Sequence, residues 1–228
     1  MNAAKHPKRR GLDHGMIFLE QVPSDLVVAC WLRAELFSPR FRPGVVNALR
    51  HLHLPRRAIE RPNLNSRREN RLRREALHLH REDTWGILPP QTQWWRAAIT
   101  AREFRQLRVI NYPTWTLLAG DTGRLSVAAA AVARETVPPQ AKGRWAHEAQ
   151  AVIIHVLEMR EQGQRAELQS GLILLGDPRG KTWTILEGNK RATALYIRCL
   201  LTKTEPFPSS IHVLVGLTSD PCPCLRTA

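Results

Sequence analysis

The most regular pattern in the chain is an apolar stripe that begins near residue 145. Its members recur at helical spacing, at Ala149, Val152, Ile153, Val156 and Leu157. Spacings of three, four and seven residues place side chains on one face of an α-helix. The stripe therefore predicts an amphipathic helix, and Gly163 is its expected stop because glycine readily ends a helix.

Short apolar runs and turn residues alternate after this helix. We expect a strand at 172–175, a hairpin turn at 176–180, a returning strand at 181–186, a helix at 189–202 and a strand at 211–217. A hairpin joins antiparallel strands, whereas a helical crossover joins parallel ones. The order predicts an α/β fold of the mixed α+β type, with a small, partly parallel sheet flanked by helices.

The first half of the chain shows weaker helical patterns. Residues 24–37 predict a helix with Ser24 as its cap, ended by Pro39 and Pro43, and residues 44–53 predict another short helix. The stretch 66–81 is the clearest helix of this half.

Ser66 and Glu69 form a capping-box pattern at the start of the 66–81 helix. Its expected apolar face holds Leu72, Ala76 and Leu79. A second face carries arginines at spacings of four and three residues, Arg67, Arg71 and Arg74. Such a row could contact phosphates of a nucleic acid, or it could be an ordinary solvated surface, which we favour.

Three further segments complete the pattern. Trp94 and Trp95 follow a Pro-Pro break; they could stack on a base, but core or domain-interface packing is favoured. Residues 107–118 predict a strand followed by a turn, and the Ala-rich residues 126–134 predict a helix. We expect a disordered basic tail at 1–15, a basic, mainly helical region at 16–106, a mixed α/β domain at 107–217 and a C-terminal tail at 218–228.

Composition adds a charge asymmetry to this picture. The 228 residues carry a net charge of +14, of which +11 lies in residues 1–110. A basic half permits contact with nucleic acid or another polyanion without requiring it. No apolar run approaches membrane-spanning length, no secretory signal follows the basic N-terminus, and the four cysteines lack a disulfide-framework spacing. We therefore expect a cytoplasmic protein.

Several motif-like stretches point to no site. The sequence GDPRGKT at 176–182 has too few residues between its glycines for a phosphate-binding P-loop, and a strand pattern follows it. Two His-x-His pairs, His51/His53 and His78/His80, lack partners at zinc-site spacing, so packing or surface roles are favoured. Cys222 and Cys224 could bind metal or form a redox pair, but a flexible tail is favoured.

The stretch TILEGNKRATAL at 184–195 is different, because it places cations at the start of a helix. Lys190 and Arg191 there oppose the helix dipole, by about 0.3–1 kcal/mol each. The cost becomes a gain if an oxyanion binds at the helix start, where Gly188 permits a sharp turn and backbone N–H groups are unpaired. Asn189 could cap the helix or donate to the anion.

Glu187 ends the strand and is the first residue of the segment 187–191, which we call the box. It has several possible roles. It could pair with Arg191, hold Mg²⁺, or act as a catalytic acid or base. The alternative to an anion site is a basic helix start in which Glu187 is simply the internal counter-ion.

The order strand, Glu-Gly-Asn-Lys-Arg-Ala-Thr-Ala, helix, strand resembles the ParB/sulfiredoxin superfamily, over about residues 107–217. Members carry a box of this kind that grips nucleotide phosphates. Gly188 matches its glycine, Lys190 its basic or His position and Arg191 its arginine. Position 189 is Asn where sulfiredoxins need a reactive cysteine, so reductase chemistry is not expected.

The resemblance implies a nucleotide- or phosphate-binding protein that holds ATP, ADP, CTP or another phosphorylated small molecule at residues 188–191. If it is an enzyme, phosphoryl transfer or NTP hydrolysis fits best, with Mg²⁺ and Glu187. The alternatives are a non-enzymatic accessory that binds DNA or RNA through its Arg-rich half, with Arg67, Arg71 and Arg74 as contacts, and a degenerate member with only an interaction role.

Overall fold

A computed structural model describes residues 16–162, 171–177, 182–219 and 222. The predictions of a disordered tail at 1–15 and a helix stop at Gly163 lie outside these residues. The same holds for most of the turn at 176–180 and of the C-terminal tail. The architecture below concerns the described residues alone.

One six-stranded mixed sheet forms the centre of the fold. Its strands are β1 (Ile17–Gln21), β2 (Gln93–Ile99), β3 (Arg108–Val109), β4 (Ile173–Gly176), β5 (Trp183–Glu187) and β6 (Ile211–Leu217), in the spatial order β1-β2-β6-β4-β5-β3. β6 runs parallel to β4 and β3 parallel to β5, whereas β4 and β5 are antiparallel. The predicted mixed, partly parallel sheet is confirmed.

Helices cover this sheet and extend beyond it. They are α1 (Ser24–Leu36), α2 (Arg42–His51), α3 (Arg57–Glu60), α4 (Arg67–Arg81), α5 (Ala101–Phe104), α6 (Pro113–Ala119), α7 (Leu125–Ala133), α8 (Arg144–Gln162) and α9 (Asn189–Tyr196). A 3₁₀ turn at Gly120–Thr122 and a π-helical turn at Ile197–Leu201 complete the set. The expected helix at 189–202 thus changes geometry after Tyr196.

The sequence pattern located the second half of the chain well. In α8 the predicted stripe is buried at Ala149, Val152, Ile153 and Val156. The strand at 211–217 has the predicted bounds, and the helix predicted at 126–134 is α7, at Leu125–Ala133.

Two strands come from the region that the sequence pattern describes as mainly helical. β1 pairs with β2, and β2 pairs with β6 in an antiparallel register that runs from Gln93↔Leu217 to Ile99↔Ile211. β2 does not alternate buried and exposed positions, so it lacks the period of two that reveals a half-buried strand. Trp94, which is 4% exposed, lies in the core as favoured.

The prediction for residues 107–118 is only half right. A strand is present, but β3 has two residues, and the expected turn is α6. Pro113 occupies a first-turn position of α6, where its missing N–H costs nothing, and Tyr112 before it is extended.

Two details of the first helices also differ from expectation. Ser24 is the first residue of α1 rather than its cap, and Pro23 holds the cap position without a side-chain hydrogen bond. Ser66 does cap α4, accepting a hydrogen bond from Glu69 N at 3.3 Å.

The buried face of α4 is only partly the predicted one: Ala76 is buried and Leu72 packs against the core, as expected, but Leu79 does not. Arg73 is fully buried, while Leu79, expected to face the core, is 52% exposed. Arg73 donates to the backbone carbonyls of Ala58 and Asn63, each at 3.0 Å, and it pairs with Glu69. These acceptors replace the hydration of the guanidinium and rotate the helix away from the face that hydrophobicity indicates.

Candidate functional site

Gly188 joins β5 to α9 in a left-handed conformation, with φ of +96° and ψ of 16°. A side chain there would be strained, and a Cβ atom would also overlap the Leu172 side chain. The glycine is therefore required by both backbone and packing, as the motif predicts.

Asn189 has a structural position rather than the predicted capping or ligand-facing one. It is 7% exposed. Its Oδ1 accepts a hydrogen bond from Ile110 N at 3.2 Å, and its Nδ2 donates to Ile185 O at 3.1 Å. Both ends of the amide are thereby occupied, and Asn189 fixes the segment after β3 against β5.

Arg191 and Glu187 form an ion pair, with Nη2 and Oε1 3.3 Å apart, and Arg191 also donates to Gly171 O at 3.2 Å. Both side chains are largely buried, at 17% and 16% exposed. The internal counter-ion that the sequence left open as an alternative is therefore present for Arg191. The guanidinium group of Arg191 therefore already has two partners, the carboxylate of Glu187 and the carbonyl oxygen of Gly171.

The carboxyl group of Glu187 is unusual in its protonation. The pKa of Glu187 is raised to about 7: burial and the charge of Glu35 raise it, and Arg191, Arg81 and Lys190 only partly offset them. Removing an ionised carboxylate from water disfavours its charged form, which explains the direction. Near neutral pH this carboxyl can both hold and release a proton.

Lys190 is the unengaged cation of the box. It is half-buried, and it makes no hydrogen bond or ion pair with any residue that the structure describes. The pKa of Lys190 is lowered to about 8, because burial and the charge of Arg40 lower it and the charge of Glu187 only partly offsets them. Burial of an ammonium group that forms no ion pair with a described residue is energetically unfavourable in the absence of a ligand.

The box faces a cavity of about 1130 Å³. One wall consists of box residues 187–191, Gly171 and residues of α8. The other wall comes from the first half of the chain, with residues 37–41 after α1 and residues 79–83 at the end of α4. The start of α9 is therefore open to a ligand-sized space, as an anion site requires.

Three arginines line the cavity from the first half of the chain: Arg33, Arg40 and Arg81. Arg40 pairs with Glu148 at 3.2 Å and so bridges to α8. Arg81 lies 3.2 Å from Glu35, a fully buried carboxylate that also accepts a hydrogen bond from Trp31 Nε1 at 3.1 Å. Arg33 is exposed and has no ion pair among the described residues.

His80 joins the same buried cluster, with its Nε2 2.7 Å from Glu35 Oε2. The expectation that the histidine pairs have packing or surface roles fits this residue, and His51, His53 and His78 are exposed. No group of three His, Cys, Asp or Glu suited to a metal occurs within the described ranges.

Aromatic rings line the cavity beside these cations. Phe41 is engaged, with the guanidinium groups of Arg40 and Arg81 5.2 and 4.9 Å from its ring centre and His80 against its edge. Phe37 is 59% exposed.

The arginines predicted as nucleic-acid contacts lie elsewhere. Arg67, Arg71 and Arg74 are exposed on α4, and none lines the cavity. Arg74 pairs with Asp25, so the exposed row does not carry three unpaired charges. The structure thus separates this surface from the box.

Sequence reasoning missed the second wall of the site. Arg40 lies in an irregular stretch between Pro39 and Pro43 with no recognisable motif. The charge asymmetry of the first half was the one available signal, and it did not identify which arginines face the box.

Cys222 also differs from the flexible tail that was favoured for it, since it is 2% exposed and part of a disulfide.

Comparison with known proteins adds no family assignment: no family model, curated protein or solved structure matches the chain. Among the helices of the described residues, none combines the length and apolar character needed to cross a bilayer.

Proposed function

We propose that this protein binds a nucleotide or another phosphorylated ligand in the cavity between α1, α4 and the start of α9. Lys190 carries the proposal, because it is a half-buried cation that lines a large cavity and forms no ion pair with a described residue. An oxyanion beside it would restore the electrostatic stabilisation that burial removes. The resemblance of the box to the ParB/sulfiredoxin superfamily supports the same ligand class.

Arg40 strengthens this reasoning from the opposite wall. Its positive charge acts on Lys190, and like charges that face one cavity repel each other in the empty state. An anion between them converts the repulsion into two attractions. Arg191 contributes positive potential but is held by Glu187 and Gly171 O, so we assign it a positioning role in the site.

If the ligand is turned over, Glu187 is the candidate acid or base. A catalytic group works best with a pKa near the operating pH, and the pKa of Glu187 is raised to about 7. Phosphoryl transfer or NTP hydrolysis is the reaction class that fits a phosphate held at Lys190.

Mg²⁺ fits this site only together with the ligand. Glu187 is the single carboxylate of the box, and its ion pair with Arg191 competes with a metal cation. Mg²⁺ that arrives on nucleotide phosphates needs few protein oxygens, since it keeps several waters and phosphate ligands. We therefore assign no protein-held metal centre to these residues.

Thermal unfolding with ATP, ADP and CTP, each with Mg²⁺, tests the proposal. A ligand at 100 times its Kd stabilises the folded state by about 2.7 kcal/mol, so binding raises Tm measurably. Lys190→Ala should abolish the shift, whereas Lys142→Ala, at an exposed position outside the cavity, should leave it intact. The absence of a shift with every nucleotide in the wild-type protein would refute nucleotide binding.

A matched kinetic measurement tests turnover. Phosphate release from ATP or CTP should fall at least about a hundredfold in Glu187→Gln if Glu187 transfers a proton, with ligand binding retained. Equal release by wild type and Glu187→Gln would remove the catalytic assignment and leave the binding proposal standing.

The second candidate function is nucleic-acid binding by α4. Of the predicted contacts, Arg67 and Arg71 are exposed and have no ion pair among the residues that the structure describes, whereas Arg74 is paired with Asp25. Binding of a DNA or RNA duplex through them should weaken steeply with salt, and replacing Arg67 and Arg71 by Ala should reduce the salt slope by about two. An unchanged slope would mean that the exposed face of α4 is an ordinary solvated surface.

We also propose that the protein is located in the cytoplasm.

A further inference from the structure

The C-terminal half of α1 presents one face to the cavity. Cys30, Arg33, Ala34 and Phe37 line it, and their spacings of three, four and seven residues place them on one side of the helix. The segment carries no ligand motif in sequence, and its opposite side, with Trp31, Leu32 and Leu36, is buried in the core. The helix is thus anchored on one side and faces the cavity with the other.

Phe37 is the available aromatic ring on this face. It is 59% exposed, and it makes no ring contact with the aromatic residues of the described chain. Phe41, four residues later, is already covered by Arg40, Arg81 and His80. Leu79 of α4 also lines the cavity and is 52% exposed. The cavity therefore contains an exposed apolar pair in addition to its cations.

The size of the cavity exceeds what an inorganic anion needs. Its volume of about 1130 Å³ slightly exceeds the usual range for organic ligands, roughly 300–1,000 Å³. A phosphate group beside Lys190 would fill a small part of it. Phe37, Leu79 and Arg33, which forms no ion pair with a described residue, also line the cavity.

We propose that Phe37 stacks on the base of a bound nucleotide, so that the end of α1 holds the ring while Lys190 holds the phosphates. This inference rests on the proposed function, since it assigns the ring subsite of the same cavity. Stacking suits the exposed ring of Phe37 because every base offers a π-face. Contact between the two rings would remove the apolar surface of both from water. Arg33, one turn earlier, adds a cation beside the ring subsite.

Calorimetric titration with ATP, CTP and inorganic tripolyphosphate, each with Mg²⁺, separates the two subsites. Phe37→Ala should weaken ATP and CTP binding about tenfold or more and leave tripolyphosphate binding unchanged. Phe37→Tyr, which keeps the ring, should restore nucleotide affinity. Leu201→Ala is the control, since Leu201 is an apolar residue 42% exposed and outside the cavity lining.

Each outcome decides between the claims. If Phe37→Ala binds nucleotides as the wild type does, or loses nucleotides and tripolyphosphate equally, Phe37 does not read a base. In either case the wild-type affinity still supports the phosphate site. If the wild-type protein binds neither nucleotides nor tripolyphosphate, the proposed function fails first and this inference fails with it.

Discussion

Arg40 and Lys190 line the same cavity from opposite halves of the sequence, and the charge of Arg40 lowers the pKa of Lys190. Arg40 is tied to Glu148 of α8 at 3.2 Å, so its position depends on packing of the first helices against the core. Lys190 has no comparable anchor among the described residues. The two side chains are therefore cations that face one cavity from opposite walls.

Replacing Lys190 by Met should stabilise the protein without ligand and remove anion binding. The desolvated ammonium group is unfavourable in the empty fold, as its lowered pKa indicates, and Met keeps the volume. We expect a gain of up to about 1 kcal/mol, which is about 2–4 °C in Tm for a domain of this size. Calorimetric melting of wild type and variant measures it, and a marked loss of Tm would show that Lys190 has a stabilising partner.

Anion affinity should fall as pH rises through about 8. Lys190 loses its proton there in the empty protein, and a bound anion favours the protonated form. Affinity for tripolyphosphate should drop by up to about tenfold per pH unit above this value, while Lys190→Arg should stay nearly flat because arginine remains charged. A flat profile in the wild-type protein would contradict a role for Lys190 in binding.

Glu187 should make folding stability depend on pH in the acidic to neutral range. Its pKa rises from 4.5 to about 7 in the folded protein, so the folded state binds more protons between these values. The resulting stabilisation is complete below about pH 4.5 and is lost as pH rises through about 7. Denaturant unfolding across this range should show a steeper loss for wild type than for Glu187→Gln; equal slopes would contradict the raised pKa.

Arg73 should be far more important for stability than any neighbouring arginine. Its removal leaves the carbonyls of Ala58 and Asn63 without their donor and opens a cavity under α4. Arg73→Ala should cost about 2–4 kcal/mol, whereas Arg71→Ala on the exposed face should cost less than about 0.5 kcal/mol. Urea unfolding compares the two variants, and similar midpoints would show that the buried hydrogen bonds contribute little.

Gly188→Ala should destabilise the fold more than Gly143→Ala. Both glycines have positive φ, of +96° and +53°, but a Cβ atom at Gly143 meets no heavy atom within 4 Å, whereas one at Gly188 overlaps Leu172. Gly143 lies in the left-handed region that L residues can adopt, whereas Gly188 lies beyond it, so the difference, about 1–3 kcal/mol, combines greater backbone strain with overpacking against Leu172. Equal losses would contradict both effects.

The local pattern of the sequence was sufficient for the elements around the box. The stripe of α8, the strand at 211–217 and the glycine before α9 were all predicted, because each depends on neighbours within one or two turns or on a single backbone angle. Lys190 and Arg191 at a helix start were predicted on the same basis.

Tertiary structure alone decided what each of those residues does. Asn189 is buried because its amide meets Ile110 N, a partner 79 residues away, and Arg191 is engaged because Gly171 O lies within reach. The second wall, with Arg40 and Phe37, forms because α1 and α4 pack near a box that lies more than 100 residues later. Periodicity reports which face of an element is apolar, whereas the partner of a polar group is fixed by contacts between distant segments, and those contacts leave no period in the sequence.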